Sequence, residues 1–399
     1  MADYDIITVG GGLGGASVAK AMAEKGKKVL VLERETKFKD RVRGEWMAPW
    51  GVAETKKLGI FDDLMAAGAQ LTTIMAGYAG PAPLPLRNFE TQSALGLPSM
   101  TMYHPELQEA VLQAAQKAGA EIRRGVKVTA VTSGKEPSVE YEAEGAKQTA
   151  TARLVVGADG RNSLVRKWGG FDAIESKAEQ VLAGVLVEGS SVDPTHNIAV
   201  FNPFVSQIAF IFPQANGRAR AYVGCRTTAE IRLQGDGDFQ KLIDMSIQTG
   251  APANLYEGLK QAGPVATFEG HDSYVEHPYK DGIALVGDAA QTSDQTWGQG
   301  LSITVKDARL LRDALSETDD WEAAGHKYAD AANESFQHIR LVEDWMTLVF
   351  MTPGPEADAI RAGTLPRLAV DPTIMPDTHM VGPELAPADE ATRIKFLGQ

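Results

Sequence analysis

The sequence predicts an α/β (α+β) protein that begins with a Rossmann-like strand–helix–strand unit, continues through a strand-rich middle and ends in a helical region. A strand, a glycine-rich turn and a helix follow one another in residues 4–25. Two further short apolar strands, at 154–157 and 283–286, each run into an acidic turn that contains glycine. Runs of β-branched and aromatic residues between 182 and 226 are separated by turn residues, which predicts several strands there.

The composition is that of an ordinary folded protein, with 399 residues, of which 44% are hydrophobic and 23% charged. This length suggests two or three domains. The net charge of −13 argues against a nucleic-acid-binding protein. No apolar run is long enough to cross a bilayer and the N-terminus has no secretory pattern, so we expect a cytoplasmic protein without stable membrane insertion. The single cysteine excludes an internal disulfide, and the seven histidines lack metal-ligand spacing, so no metal site is predicted.

The first motif is a glycine-rich turn between a predicted strand at Tyr4–Val9 and a helix. Gly10 permits a tight turn, Gly12 lets the backbone approach a pyrophosphate, and Gly15 permits close packing of the helix on the strand. The N–H groups and the positive dipole end of the helix favour the phosphates. The predicted cofactor contacts in this turn are Gly10, Gly12, Leu13, Gly14 and Gly15.

A second strand, predicted at Lys28–Leu32, runs into Glu33. At this place a carboxylate can accept both ribose hydroxyls of an adenosine, and it would repel a 2′-phosphate, which disfavours NADP at this position. Arg34, the next residue, is included among the predicted cofactor contacts. The pattern as a whole predicts dinucleotide binding but does not separate FAD from NAD.

Two later motifs also place a carboxylate directly after a buried strand. Asp159 and Gly160 follow the strand 154–157, and Asp288 follows the strand 283–286. Such carboxylates suit hydrogen bonds to sugar hydroxyls at the carboxyl edge of a sheet. A glycine turn then opens the helix predicted from Ile303 to Leu315, and its N–H groups could face a flavin and stabilise negative charge on its reduced form. The predicted contacts in that turn are Gly298, Gly300, Leu301 and Ser302.

At these motifs the chain resembles the FAD-dependent aromatic hydroxylases of the p-hydroxybenzoate hydroxylase type, which are single-component flavoprotein monooxygenases. The resemblance runs from Tyr4 to about Leu315. It implies that the first turn and Glu33 hold the ADP half of FAD. It also implies that Asp159 lies between the pyrophosphate and the route of NADH or NADPH, and that Asp288 contacts the ribityl or pyrophosphate region. The turn 298–302 would bind the isoalloxazine.

The same resemblance assigns two more FAD contacts and a discontinuous organisation. Arg43 takes the place of a family arginine after the second strand, and Gln108 that of a polar residue near the flavin phosphates. The expected FAD-binding domain comprises 1–70, 100–180 and 270–320, and an inserted mixed β-sheet domain comprising 71–99 and 181–269 holds the substrate. Residues 321–399 are expected to be C-terminal helices followed by a proline-rich, extended tail from Pro353, with a short helix possible at Asp389–Phe396.

The stretch between Asp288 and Gly298 departs from the family pattern. The family's histidine, proline and asparagine positions are occupied by Gln291, Gln295 and Ser302. The family proline commonly lies beside the reacting face of the flavin, so the departure bears on the substrate and the chemistry. Gln295, which can bind a polar group, and Trp297, a large apolar side chain in a loop, are the predicted catalytic-site residues.

The implied reaction consumes NADH or NADPH and O2. It hydroxylates or epoxidises an aromatic or polycyclic small molecule through a flavin C4a-hydroperoxide. Two alternatives stay open at this stage: a flavin-dependent alkene reductase of the geranylgeranyl reductase type, and a non-catalytic FAD-binding protein. The sequence also leaves open a homodimer, the choice of electron donor and the identity of the substrate.

Overall fold

The computed structural model describes residues 2–42 and 44–398. The first element is a strand and the last is a helix, and helices separate several strands of the first sheet along the chain. No helix in these two ranges combines the length and the apolar composition needed to cross a bilayer. The α-helices are α1 Leu13–Ala23, α2 Pro49–Leu58, α3 Phe61–Ala66, α4 His104–Lys117, α5 Leu164–Trp168, α6 Phe239–Thr249, α7 Gly300–Glu317, α8 Trp321–Phe350, α9 Pro355–Leu368, α10 Thr378–Val381 and α11 Glu390–Leu397.

The first sheet contains the strands that the sequence predicts around the three motifs. Its parallel part has the order β9-β2-β1-β12-β22, and β10 and β11 extend it antiparallel from the first half of β12. Helices α1, α4 and α7 pack together beside it, because their apolar faces share one core with the buried strands. The strands are β1 Tyr4–Val9, β2 Val29–Glu33, β9 Glu121–Arg124, β10 Lys127–Thr132, β11 Ser138–Ala143, β12 Ala146–Gly157, β21 Tyr279–Lys280 and β22 Ile283–Leu285.

The second sheet is mixed, as predicted. Strands β15 and β5 pair in parallel, and the other pairs are antiparallel in the order β18-β14-β17-β16-β15-β5-β6. Side chains alternate between its two faces, so Ala209 and Ile211 pack in the core under α6 while Ile208 and Phe210 face the opposite way. The strands are β5 Ile74–Ala79, β6 Ala82–Pro83, β7 Arg87–Asn88, β14 Gln180–Glu188, β15 His196–Asn202, β16 Gln207–Gln214, β17 Arg218–Arg226, β18 Lys260–Gln261 and β19 Ala266–Gly270.

Two small antiparallel sheets connect the larger ones. One joins the segment after residue 45 to the segments around 70 and 100, and the other joins the Gln291–Thr292 segment to strands near 174 and 273. They therefore hold in place the segment after residue 45 and the Gln291–Thr292 segment, which belong to neither large sheet. Their strands are β3 Trp46–Met47, β4 Gln70–Thr72, β8 Ser99–Thr101, β13 Ile174–Glu175, β20 Ser273–Tyr274 and β23 Gln291–Thr292.

The C-terminal segment after Pro353 is helical, so the prediction of an extended tail is wrong for most of its length. Helices α9 and α11 pack on each other and on α8. Pro355 is compatible with this because it occupies the first turn of α9, where its missing N–H needs no partner. Pro366 lies inside α9 close to its end. The predicted short last helix is present as α11, where the Asp389 side chain accepts a hydrogen bond from Thr392 N at 2.8 Å.

The tail is also fastened to α7 by ion pairs. Glu384, between α10 and α11, lies 2.8 Å from Lys306 Nζ and 2.6 Å from Arg309 Nη2. Arg309 Nε in turn lies 2.5 Å from Glu54 Oε2 on α2. These contacts connect the C-terminal segment to the helix that follows the Gly298–Ser302 turn.

Candidate active site

The candidate site lies at the carboxyl edge of the first sheet. Strands β1, β2, β12 and β22 run parallel, so their carboxyl ends meet on one side. Gly10 follows β1, Glu33 ends β2, Asp159 follows β12 and Asp288 follows β22. The structure therefore brings the predicted motifs together, although they are far apart in the sequence.

The glycine turn after β1 has no room for side chains at two of its positions. Gly10 has φ +101°, and a Cβ there would lie 2.3 Å from the carbonyl oxygen of Ala158. A Cβ on Gly15 would lie 2.0 Å from the carbonyl oxygen of Gly10. Gly12 precedes the first residue of α1, Leu13, so the unpaired N–H groups of this helix start at the turn. The close approach fixes the turn against the Ala158–Asp159 backbone.

Glu33 closes this turn with its carboxylate. Its Oε2 accepts a hydrogen bond from Gly11 N at 2.7 Å, and its Oε1 accepts one from Glu35 N at 2.7 Å. The side chain is buried. Arg34, in contrast, points outward with a side chain that is 71% exposed, and its ion pair is with Glu35 at 3.6 Å. The structure thus places Glu33 at the turn and does not bring Arg34 to it.

Of the two further predicted FAD contacts, Gln108 reaches the turn. A Cβ on Gly12 would lie 3.2 Å from Gln108 Nε2 on α4. The Gln108 amide therefore lies next to the stretch of backbone that is accessible because Gly12 has no side chain. The prediction for Arg43 falls outside the described residues. The next residue, Gly44, has φ +83°, and its carbonyl oxygen lies 2.9 Å from His104 Nδ1.

Asp159 shapes the turn after β12 with its own side chain. Its carboxylate accepts hydrogen bonds from Ser163 Oγ at 2.5 Å and from the backbone N–H of Leu164 at 2.7 Å. The second contact lies at the N-terminus of α5, where a carboxylate is favourable. Asp159 is therefore at the predicted edge, and its carboxylate already has partners in the turn.

The Asp288 turn depends on a buried residue that the sequence reasoning missed. Asp307 on α7 accepts a hydrogen bond from Gly287 N at 2.9 Å through Oδ2 and one from Gln291 Nε2 at 2.8 Å through Oδ1. Burial raises the pKa of Asp307 to about 7, although the two donors oppose this. The available signal was its spacing, because residue 307 lies two helical turns after Gly300 and so on the same face of α7.

The turn 298–302 begins α7 and meets α2. Gly298 has φ +70°, and a Cβ there would lie 3.0 Å from the Trp46 ring. A Cβ on Gly300 would meet open space. Leu301 is almost fully buried, and Ser302 is fully buried with its Oγ accepting a hydrogen bond from Ala48 N at 3.2 Å. Ser302 thus supports the turn from inside, while the backbone at Gly300 stays open.

The two predicted catalytic-site residues lie in the 3₁₀ turn Gln295–Trp297. With its amide oriented to suit its neighbours, Gln295 donates to the carbonyl oxygen of Glu269 at 2.9 Å and accepts from Arg161 Nη1 at 2.7 Å. Trp297 is buried and donates from Nε1 to Thr347 Oγ1 at 3.0 Å. Its ring also stacks on Phe201. Gln295 therefore anchors one end of the turn, and Trp297 packs between the second sheet and α8.

An aromatic face of the second sheet continues this packing. Phe201 lies 4.6 Å from Phe350 between ring centroids, and Phe212 stacks on Trp46 at 6.2 Å. Several apolar side chains on this face remain partly exposed: Met75, Leu84, Phe201, Phe212 and Phe268. This face and the Trp297 ring that packs on it form an apolar surface next to the Gly298–Ser302 turn.

A buried ionic cluster joins the sheet to the segment before β3, and the sequence reasoning missed it too. Arg220 is fully buried and lies 2.9 Å from Asp40 Oδ1 and 3.1 Å from Glu45 Oε1. The Tyr222 hydroxyl donates to the Glu45 carboxyl. Burial raises the pKa of Glu45, against the opposing effect of Arg220. The cluster holds Asp40 and Glu45 against Arg220 on the aromatic side of the sheet.

The donor set fits FAD. The glycine turn leaves backbone N–H groups at the start of α1 open to a pyrophosphate, and Gln108 lies beside it. The open space at Gly300 leaves the start of α7 accessible to a flavin ring. Among the residues that the structure describes, no group of three or more His, Cys, Asp or Glu side chains could hold a metal ion.

Comparison with known proteins agrees with this geometry. Residues 3–345 match the family described as "FAD binding domain". Digeranylgeranylglycerophospholipid reductase 1 of Methanopyrus kandleri is 25% identical, over 84% of this chain and 87% of the relative. Rifampicin monooxygenase of Streptomyces venezuelae is 26% identical, over 89% and 73%. The solved structure of p-nitrophenol 4-monooxygenase from Pseudomonas putida has a TM-score of 0.77 at 20% identity and covers 96% of both chains.

Proposed function

The chain belongs to the FAD-binding domain family, and from this premise we propose that it is a monooxygenase that inserts one oxygen atom of O2 into an apolar aromatic or polycyclic small molecule. It is an FAD-dependent oxidoreductase. The observation that carries the proposal is the aromatic face of the second sheet beside the Gly298–Ser302 turn. A substrate bound there would lie next to the isoalloxazine.

FAD would lie along the carboxyl edge of the first sheet. The turn Gly10–Gly15, Glu33 and Gln108 would contact its ADP half, and Asp288 the middle of the cofactor. Bound FAD supplies the redox chemistry, taking a hydride from NADH or NADPH and activating O2. The N–H groups at the start of α7 would stabilise negative charge on the reduced ring, because they are unpaired donors at the positive end of a helix dipole.

The apolar surface would orient the substrate and exclude water. Phe201 and Phe212 present partly exposed rings, which suits contact with a flat apolar molecule. Gln295 lies at the polar end of the same loop and would contact a polar group of the substrate. Exclusion of water matters in this chemistry because an activated oxygen species that meets water is lost without product.

A second candidate, flavin-dependent reduction of an alkene, is favoured by one observation. Loop 291–297 has Gln295 where aromatic hydroxylases commonly have proline, and a similar curated protein is a lipid reductase. The two functions use the same FAD site and the same apolar surface. They differ in the product, which gains one oxygen atom in the first case and two hydrogen atoms in the second.

Turnover with isotopically labelled O2 and a panel of aromatic, polycyclic and polyprenyl compounds separates the candidates. We expect compounds that stimulate NADH or NADPH oxidation to yield products carrying one labelled oxygen. Products that carry two added hydrogens and no label would instead establish the reductase. Stopped-flow reduction of the bound flavin by each nicotinamide identifies the donor.

A matched pair of variants tests the location of the substrate. Phe212→Leu alters the aromatic face, whereas Ile211→Val alters the neighbouring residue on the face under α6. We expect the first to raise the KM for an accepted substrate and the second to leave it unchanged. Equal effects of both variants would contradict the assignment of the aromatic face.

A further inference from the structure

Glu343 stands out on the face of α8 that backs loop 291–297. Arg340, Glu343 and Thr347 are spaced three and four residues apart and so share one side of the helix. Thr347 accepts the hydrogen bond from Trp297 Nε1 at 3.0 Å, so this side of α8 touches the loop. Glu343 is 3% exposed. It lies between Arg340 and Thr347 on this side of the helix, and its carboxyl is turned toward Ser293.

This carboxyl lacks the partners that a buried charge needs. Within the described chain neither of its oxygens has a hydrogen bond of normal geometry, and the same holds for the Ser293 hydroxyl that faces it. A buried polar group is normally hydrogen-bonded, and a buried charge is normally paired. The pair therefore has room for one hydrogen bond between a neutral acid and a hydroxyl.

The charges around Glu343 are mostly of its own sign. Asp272 accepts from Asp294 N at 3.0 Å and from Arg340 Nε at 2.9 Å, and Asp344 follows on α8. Arg340 is thus shared among these carboxyls, and it is already engaged with Asp272. Burial raises the pKa of Glu343 well above its ordinary value, and the charges of Asp272 and Asp294 act in the same direction.

The Arg161 guanidinium and the His271 imidazole, whose pKa burial lowers, face the loop from its other side. Arg161 acts on Asp294, and its Nη2 lies 2.7 Å from His271 Nδ1. Arg161 and His271 lie near the end of the loop that Gln295 anchors, whereas Glu343 faces Ser293. The cationic side of the loop is therefore separate from the side that Glu343 contacts.

We propose that Glu343 is a positioning residue for loop 291–297, donating a hydrogen bond from its neutral carboxyl to the loop at Ser293. This bond fixes the loop that runs through Gln295–Trp297 into the Gly298 turn. When the carboxyl ionises, the Ser293 hydroxyl can still donate to it, but the new negative charge repels Asp272 and Asp294, so the loop moves. The inference rests on the proposed function only in assuming that the flavin lies against this turn.

The test is a pH titration of the substrate-free holoenzyme, followed by the visible absorption of FAD and by tryptophan fluorescence. We compare wild type, Glu343→Gln and the control Glu334→Gln, which removes an exposed carboxylate from the same helix. Wild type and the control should share an alkaline transition that Glu343→Gln lacks. An unchanged transition in Glu343→Gln would overturn the proposal.

A second variant keeps the test decisive if Glu343→Gln does not fold. Asp294→Asn retains the acceptor for Thr296 N but removes a neighbouring negative charge. It should lower the midpoint of the transition by about one pH unit, because a like charge no longer opposes ionisation. An unshifted midpoint would also overturn the proposal.

The two proposals fail in distinguishable ways. If the protein retains no FAD, the proposed function is wrong, whereas the fluorescence transition still tests Glu343 because Trp297 lies on the loop. Infrared difference spectra of wild type and Glu343→Gln across the same pH range give an independent readout. A neutral carboxyl band that disappears at alkaline pH in wild type and is missing from Glu343→Gln supports the proposal, because Asp307 and Glu45 are present in both proteins. Identical neutral carboxyl bands in the two proteins refute it.

Discussion

Replacing Asp307 by Asn tests whether a neutral acid holds the Asp288 turn. Asn keeps an oxygen to accept from Gly287 N, and its amide N–H can donate to Gln291 Oε1. That oxygen lacks a hydrogen-bond partner within the described chain, so a rotation of the Gln291 amide restores the second bond. The substitution therefore preserves the contacts and removes only the ability to ionise.

The size of the effect follows from the pKa of Asp307, which burial raises from 3.8 to about 7. An unfolded chain ionises this group from about pH 4, whereas the folded chain keeps the proton until about pH 7. The free energy of unfolding of wild type therefore falls with pH in this window and is constant above it. A shift of about 3 units corresponds to ~4 kcal/mol.

Urea unfolding of the FAD-free protein at about pH 4 and about pH 8 measures this difference. The stability of Asp307→Asn relative to wild type should rise by ~4 kcal/mol between the two conditions. Asp313→Asn, a half-exposed carboxylate on the same helix, is the control and should show a much smaller change. Parallel pH dependences for wild type and Asp307→Asn would refute the reasoning, because Asp307 would then ionise alike in both states.

Three further predictions concern the turn, the loop and the tail. Gly15→Ala should abolish FAD retention, because its Cβ would lie 2.0 Å from the Gly10 carbonyl oxygen, and a purified variant with the wild-type ratio of flavin to protein absorbance would contradict this. Trp297→Phe should cost about 1 kcal/mol through the lost bond to Thr347 besides any packing change, and a double-mutant cycle with Thr347→Val measures that share. Glu384→Gln should cost ~1 kcal/mol at neutral pH once solvent screening of this half-exposed group is allowed for. Its partners lower the pKa of Glu384 to about 2, so the difference in Tm should vanish as the pH falls from 4.5 toward 2.

The sequence carried enough information to predict that the motifs meet at one sheet edge, because each motif follows a strand. Parallel strands end on one side of a sheet, so Glu33, Asp159 and Asp288 had to come together once their strands were recognised. The helix after Gly300 was predicted from its composition, and it begins at the glycine turn as expected. Local patterns of this kind require no knowledge of distant contacts.

Other features depended on contacts between distant segments. Glu343 lies near the end of a long helix and looks like a surface residue until loop 291–297 packs on it. Arg220 alternates with apolar residues on β17, and its partner Asp40 is far away in the sequence. The extended tail was predicted from its seven prolines, but most of them lie at helix starts or between helices, where proline is tolerated.

The ion pairs of Glu384 affect when, during synthesis of the chain, the cofactor site can be completed. A ribosome releases the glycine turn first and the Gly298–Ser302 turn much later, and the segment that braces α7 through Lys306 and Arg309 comes later still. Nascent chains that fold from the N-terminus can therefore form β1, α1 and β2 early, yet they present only part of the edge to FAD. The braced cofactor site is completed only after residue 384 has left the exit tunnel, so FAD meets the whole edge only once the ion pairs of Glu384 with α7 can form.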